Sequence, residues 1–287
     1  MINDDRIQLA LPKGHMYAAV EHLLGDAGLA VQGNGRNYRP VCIDNRFELK
    51  ILKPQNIVRM VELGSHDVAF AGYDWVVELD AAVQELLDTA LDPVCLVAAA
   101  PQEMAKDPAF FRRRLLVASE YESITRRYLD GRGADYLFVR SYGATEVFPP
   151  EDADLIVDNT ASGRTLRENG LTVVDTLLRS STRLIANPIA MDGPKGRTIA
   201  ELAMLVQAVL DARSRVMLEM NVAGDRLPAV LAVLACMRKP TMSSLSDGTG
   251  FAVKAAVPKV QVVRLIPELK AAGATDILEY PFSKVVL

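Results

Sequence analysis

Apolar and polar positions along this chain follow two periods in turn. Residues 6–11 (Arg-Ile-Gln-Leu-Ala-Leu) alternate as a strand does, and 16–27 carries apolar residues at helical spacing up to Gly28. The same reading predicts strands over 41–44, 47–52 and 67–72, with helices over 54–63 and from Tyr73 to about Leu87. The apolar run 93–100 is a strand, and its place after several βα units predicts that the chain crosses there into a second lobe. Beyond it come a short helix over 107–113, strands over 115–120 and 136–141, and a helix over 123–131. A buried strand at Leu155-Ile156-Val157 is followed by strands over 172–178 and 182–187, then by a long helix from Arg197 to about Arg213. From Ser214 the character changes. Strand 214–222, helix 225–235, strands 240–246 and 251–257 around the turn Asp247-Gly248-Thr249-Gly250, helix 261–272 and strand 276–280 give the order βαββαβ, the ferredoxin-like arrangement.

Composition narrows this α/β reading. At 287 residues the chain suits two or three domains, and a formal charge of −4 without a basic stripe argues against nucleic acid as a partner. Cys42, Cys95 and Cys236 lie in or near apolar runs without metal-ligand spacing, as reduced core residues do. No apolar run reaches membrane-spanning length, and Asn3-Asp4-Asp5 stands where a signal peptide would carry basic residues, so a cytoplasmic protein with no membrane partner is expected.

Candidate chemistry collects at three strand ends: Lys13-Gly14-His15, Gly143-Ala144-Thr145-Glu146, and Asp158 through Thr165. In the third, Thr160-Ala161-Ser162-Gly163-Arg164-Thr165 leads from the strand into a short helical pattern stopped by Asn169-Gly170. Small residues there leave backbone N–H groups and hydroxyls open to an anion, and a bulky side chain would block a phosphate. The bland alternative is an ordinary β-turn-α connection capped by Ser162 or Thr160, and spacing alone does not separate the two. There is no Gly-Lys-Ser/Thr for a Walker loop, one glycine rather than three for a dinucleotide turn, and no catalytic triad order or metal-ligand spacing. His22 and His66 read as surface or capping residues and Trp75 as core. Cations, small-residue turns and the acceptors Glu146 and Asp158 suit transfer chemistry by positioning and electrostatics.

Leu11-Pro12-Lys13-Gly14, Ser141-Tyr142-Gly143-Ala144-Thr145-Glu146-Val147, the stretch 154–171 and Arg179-Ser180-Ser181-Thr182-Arg183-Leu184-Ile185-Ala186-Asn187 occur in the order of one known family. The chain resembles the long form of ATP phosphoribosyltransferase of histidine biosynthesis over nearly its whole length. The resemblance implies a two-lobed catalytic part like a periplasmic binding protein, with 1–92 plus 180–212 as lobe I and 93–179 as lobe II. A ferredoxin-like domain over 213–287 would bind histidine as feedback inhibitor. It implies that adenine N1 of ATP attacks C1 of phosphoribosyl pyrophosphate, with Mg²⁺ brought mainly by the substrate and no direct protein ligand. Dimers and hexamers are expected. By motif position Ala161, Ser162, Gly163, Arg164 and Thr165, with Thr160, hold the 5-phosphate, and Asp154, Asp158 and Glu146 face ribose hydroxyls or Mg²⁺-bound water. Glu146, Asp158 and Lys13 are the expected catalytic set. Lys13, Gly14, His15, Lys53, Gly72 and Tyr73 are the expected ATP contacts, and Asp225, Ser243, Ser246 and Thr249 the expected regulatory ones. This sequence departs from the family's pattern at His15, Lys53, Asn56 and Ala161, where Arg, Arg, Asp and Ser are usual, so a paralogue acting as a small-molecule binding module without catalysis stays open. An oxidoreductase lacks its dinucleotide turn.

Overall fold

The computed structural model describes residues 6–33, 37–234, 237 and 239–287; Asn3, Asp4, Asp5, Ala235 and Cys236 of the expectations above lie outside them. The chain divides into two units, residues 1–22 with 29–203 and residues 23–28 with 204–287. The dividing line therefore falls inside the long helix that ends at Arg213, not at its end.

The first unit opens with β1 (Ile7–Pro12), α1 (His15–Ala27), β2 (Val31–Gln32), β3 (Val41–Cys42), β4 (Phe47–Leu52), α2 (Pro54–Glu62), β5 (Val68–Gly72) and α3 (Tyr73–Glu78). It continues through β6 (Gln84–Pro101), α4 (Gln102–Ala105), β7 (Leu115–Ser119), α5 (Glu122–Gly131), β8 (Tyr136–Arg140), β9 (Leu155–Thr160) and α6 (Arg164–Glu168). β10 (Leu171–Ala186), α7 (Pro188–Asp192) and α8 (Gly196–Arg213) follow. Its main sheet has the order β4-β1-β5-β10-β6-β9-β7-β8, parallel within β4-β1-β5 and within β9-β7-β8. Between those two parallel groups run β6 and β10, antiparallel to each other and common to both lobes.

Three expectations are corrected here. The helix expected to reach Leu87 ends at Glu78, where Asp80 takes a left-handed backbone (φ 45°), and residues 84–92 join β6 instead. Strands expected separately over 172–178 and 182–187 are one strand, because the polar run Arg179 to Thr182 keeps pairing with β6. Its buried hydroxyls are satisfied: Ser180 donates to Asp74 and Ser181 to Asp88, each at 2.7 Å. The register between β6 and β10 shifts repeatedly near Ser180 to Ile185, opposite Ala90 and Asp92 with positive φ, so the ribbon bends where the lobes meet. His66, expected as a surface or capping residue, is buried, and burial pushes its imidazole pKa down.

In the second unit β11 (Arg215–Ala223), α9 (Leu227–Val233), β12 (Thr241–Ser244), β13 (Gly250–Pro258), α10 (Val262–Ala272) and β14 (Ala274–Pro281) realise the βαββαβ order. The sheet order β12-β13-β11-β14, antiparallel throughout, is ferredoxin-like. Strict alternation drives it: Val216, Leu218, Met220 and Val222 point inward against Val253, Val257, Leu265 and Leu269. Each such buried side chain contributes about 1.5–3 kcal/mol. At Gly250 a Cβ would stand 2.3 Å from the Val222 carbonyl oxygen, so β13 can start beside β11 only as glycine. Among the described residues no helix is long and apolar enough to cross a membrane.

Candidate active site

β9 delivers Asp158, Asn159 and Thr160 to its C-terminal end, and the chain then turns through Ala161-Ser162-Gly163 into α6. Gly163 holds φ +68°, a left-handed conformation that a β-branched residue would resist. The Thr160 hydroxyl accepts from the Gly163 N–H at 2.9 Å, and the Ser162 hydroxyl accepts more weakly from Arg164 at 3.4 Å. Among the described residues the N–H groups of Ala161 and Ser162 have no protein acceptor. Facing this turn, Gly143 and Ala144 are both left-handed and swing the chain so that Glu146 comes to the same cleft; the buried hydroxyls of Ser141 and Thr145 pin the turn at 2.7 Å. His15 at the start of α1 and Val94 of β6 close the cleft.

The electrostatics there are strained towards cations. Burial above all, then the charges of Glu146 and Glu120, raise the Asp158 carboxyl to about 6, against the partial relief of the Asn159 N–H. A second cavity adjoins the first and shares His15, Val94 and Asn159 with it. Its wall is the Trp75 ring stacked on Tyr121 at 4.7 Å between centroids, and its polar lining includes Asp74, Asp92, Glu120 and Ser180. Two strand-end sites thus meet at one border.

A family model described as "HisG: ATP phosphoribosyltransferase" matches residues 53–208, and one described as "HisG, C-terminal domain" matches 212–284. The chain is 36% identical to the ATP phosphoribosyltransferase of Chlorobium phaeovibrioides over the full length of both proteins. It is 38% identical to that of Desulforudis audaxviator, over 98% of this chain and 99% of the relative. The chain belongs to the ATP phosphoribosyltransferase family. A solved structure titled ATP phosphoribosyl transferase (HisG:HisZ) complex, from Thermotoga maritima, superimposes with a TM-score of 0.64 at 22% identity, covering 71% of this chain and 98% of that one, which shows a shared fold.

The first cleft gathers Glu146, Asp158, Thr160, Ala161, Ser162, Arg164 and Thr165, all expected at the phosphoribosyl pyrophosphate site, while Gly163 shapes the turn without lining it. Asp154 is not brought there. It sits at the other end of the strand, about 13 Å away at 3.3 Å per residue, and its carboxylate accepts from the Leu116 N–H at 2.8 Å and from Arg113 at 3.1 Å. Of the expected ATP contacts, His15 lines both cavities and Gly72 the second. Lys13, Gly14, Lys53 and Tyr73 line neither: Lys13 donates to the Tyr38 hydroxyl and lies over its ring, Lys53 precedes α2, and Tyr73 lies beneath the Arg183 guanidinium at 4.8 Å. Asp74, Tyr121, Asn159 and Ser180 were not singled out from sequence and Trp75 was read only as core; no local spacing marks them, because α3, the loop after β7, β9 and β10 bring them in from far apart in the chain. In the second unit Ala223 pairs with Gly250, which sets the turn holding Asp225 and the turn holding Ser246 and Thr249 at one end of the sheet. Ser243 lies in β12 opposite Ala252, and the Thr249 hydroxyl donates to Asp247 at 2.7 Å.

Proposed function

We propose that this chain transfers the phosphoribosyl group of phosphoribosyl pyrophosphate to N1 of ATP, and that histidine restrains it through the second unit. The observation that carries the reading is the cleft itself: a turn of open N–H groups and hydroxyls beside a pair of carboxylates whose charges already oppose one another. The turn 160–165 suits the 5-phosphate, with Arg164 adding charge. Asp158 and Glu146 suit the ribose diol as acceptors, and their field stabilises positive charge growing on the ring as the bond from C1 to pyrophosphate breaks. The adjoining cavity with its Trp75–Tyr121 wall suits adenine, whose N1 lone pair then forms the new bond at the shared border.

Mg²⁺ fits this arrangement as a passenger of the diphosphate. Among the described residues no group of three or more acids, histidines or cysteines is arranged to hold a metal, whereas Asp158 with Glu146 and Glu120 forms an acidic face that a nearby cation would relieve. Asp158 and Glu146 would contact it through water or the ribose hydroxyls. When bound it supplies neutralisation of the leaving pyrophosphate. Release of pyrophosphate tests the whole reading. It is expected only with both ATP and phosphoribosyl pyrophosphate present, to stop with EDTA and to fall with histidine. A folded protein that releases none with both substrates and Mg²⁺ would refute it.

A further inference from the structure

We propose that Asn159 selects the nucleobase: its carboxamide oxygen, turned to the border of the two cavities, accepts a hydrogen bond from the amino group that flanks the attacking ring nitrogen of adenine. The proposal rests on the transfer reading above. It starts from a fixed amide. Asn159 lies one residue from the end of β9, its side chain is exposed, and it borders both cavities. Its Nδ2 donates to the Tyr121 hydroxyl at 2.8 Å. That hydroxyl cannot donate back. Tyr121 is almost fully buried and gives its one hydrogen to the Asp74 carboxylate at 2.6 Å, and burial with the Asp74 charge pushes the phenol pKa far up, so the proton stays.

Asp74 is committed in turn, its other oxygen accepting from Ser180 at 2.7 Å. The relay therefore dictates which end of the Asn159 amide faces the protein. Nitrogen faces Tyr121, and oxygen is left for a ligand; no donor to it occurs among the described residues. Tyr121 and Asp74 act through Asn159 and are positioning residues.

The chemistry of the border names the ligand group. If C1 of the ribose occupies the phosphoribosyl cleft, the attacking nitrogen must stand at the border that Asn159 lines. In adenine the carbon next to that nitrogen bears an amino group, two N–H donors, and in a 6-oxo purine it bears an acceptor. The neighbouring groups reinforce a donor-seeking surface, since Asp92 and Glu120 also line the second cavity. An acceptor placed there would meet oxygen and leave both unpaired.

The test compares ATP with purine riboside 5′-triphosphate, which keeps the ring nitrogen and lacks the amino group, measuring kcat/KM for pyrophosphate release. Asn159→Ala is expected to lower kcat/KM for ATP about tenfold and the ATP-to-analogue ratio by the same factor. Tyr121→Phe keeps the ring wall and frees the amide, so the same ratio is expected to fall, a change that a merely structural role would not produce. A ratio unchanged in Asn159→Ala overturns the proposal, and since that side chain is exposed the variant is expected to fold. Wild-type protein that releases no pyrophosphate with ATP would instead refute the transfer reading, and this proposal with it.

Discussion

At Asp158 the fold holds a carboxyl where ionisation is disfavoured, with a pKa of about 6 set first by burial and then by Glu146 and Glu120. The sign follows directly. A carboxyl whose folded pKa lies above its unfolded value favours the folded state when protonated, so its ionisation costs stability in full above about pH 6, and the cost fades as pH falls from there to the unfolded value of 3.8. Asp158→Asn removes the charge and keeps the shape. The variant is expected to melt at a higher temperature than wild type at pH 8, with the difference shrinking below about pH 6 and gone only near pH 3.8, the ordinary value of the carboxyl. Its rate of pyrophosphate release is expected to fall roughly a hundredfold, because an amide is a weaker acceptor and offsets no positive charge on the ribose. In wild type the rate should drop on the acid side of about pH 6 for the same reason. Melting curves at the two pH values decide the matter: a variant no more stable than wild type at pH 8 would remove the electrostatic argument. Function here is held against stability at one residue.

Helix α5 shows how an element can be completed from far away in sequence. Its preceding residue, Tyr121, offers no capping side chain, since its hydroxyl is spent on Asp74. The first free N–H groups, of Ser123 and Ile124, are taken instead by the buried Glu78 of α3 at 2.9 and 3.0 Å. Glu78→Ala would strand both amides and is expected to cost about 3 kcal/mol, with Glu78→Gln losing roughly half of that. Thermal unfolding of the three proteins measures it, and an unchanged melting temperature in the alanine variant would show that water takes over the cap. Glu78 also explains what sequence patterns could and could not convey. Strict alternation in β11 and the helical period of α1, α2 and α10 were readable because one face of each element is buried locally. The extent of β6 and β10 was not, since residues 84–92 carry an ambiguous spacing and only their pairing with 182–186, nearly a hundred residues on, makes them a strand.

For the whole molecule the same contrast separates the two halves of the candidate site. The turn 158–165 could be found because phosphate chemistry needs small residues contiguous in sequence, whereas the second cavity draws on α3, β6, β9, β10 and the loop after β7, which only the folded sheet assembles. The regulatory reading must also answer to the way the chain divides. The second unit includes 23–28 and the end of α8, and its Val285 N–H donates to the Ala208 carbonyl at 2.9 Å. Removing residues 214–287 would therefore take away most of that unit, the Val285 contact to α8 included, and a truncated protein would confound lost regulation with lost folding. Single substitutions in the intact chain avoid this. Histidine carries an ammonium group that an exposed carboxylate such as Asp225 can bind, and a carboxylate that the Thr249 hydroxyl or the turn amides can meet. Asp225→Ala and Thr249→Ala are each expected to raise the histidine concentration for half-inhibition of pyrophosphate release about tenfold or more. If histidine inhibits wild type and both variants alike, the effector binds elsewhere on the chain; if it inhibits none of them, the second unit does not serve histidine at all.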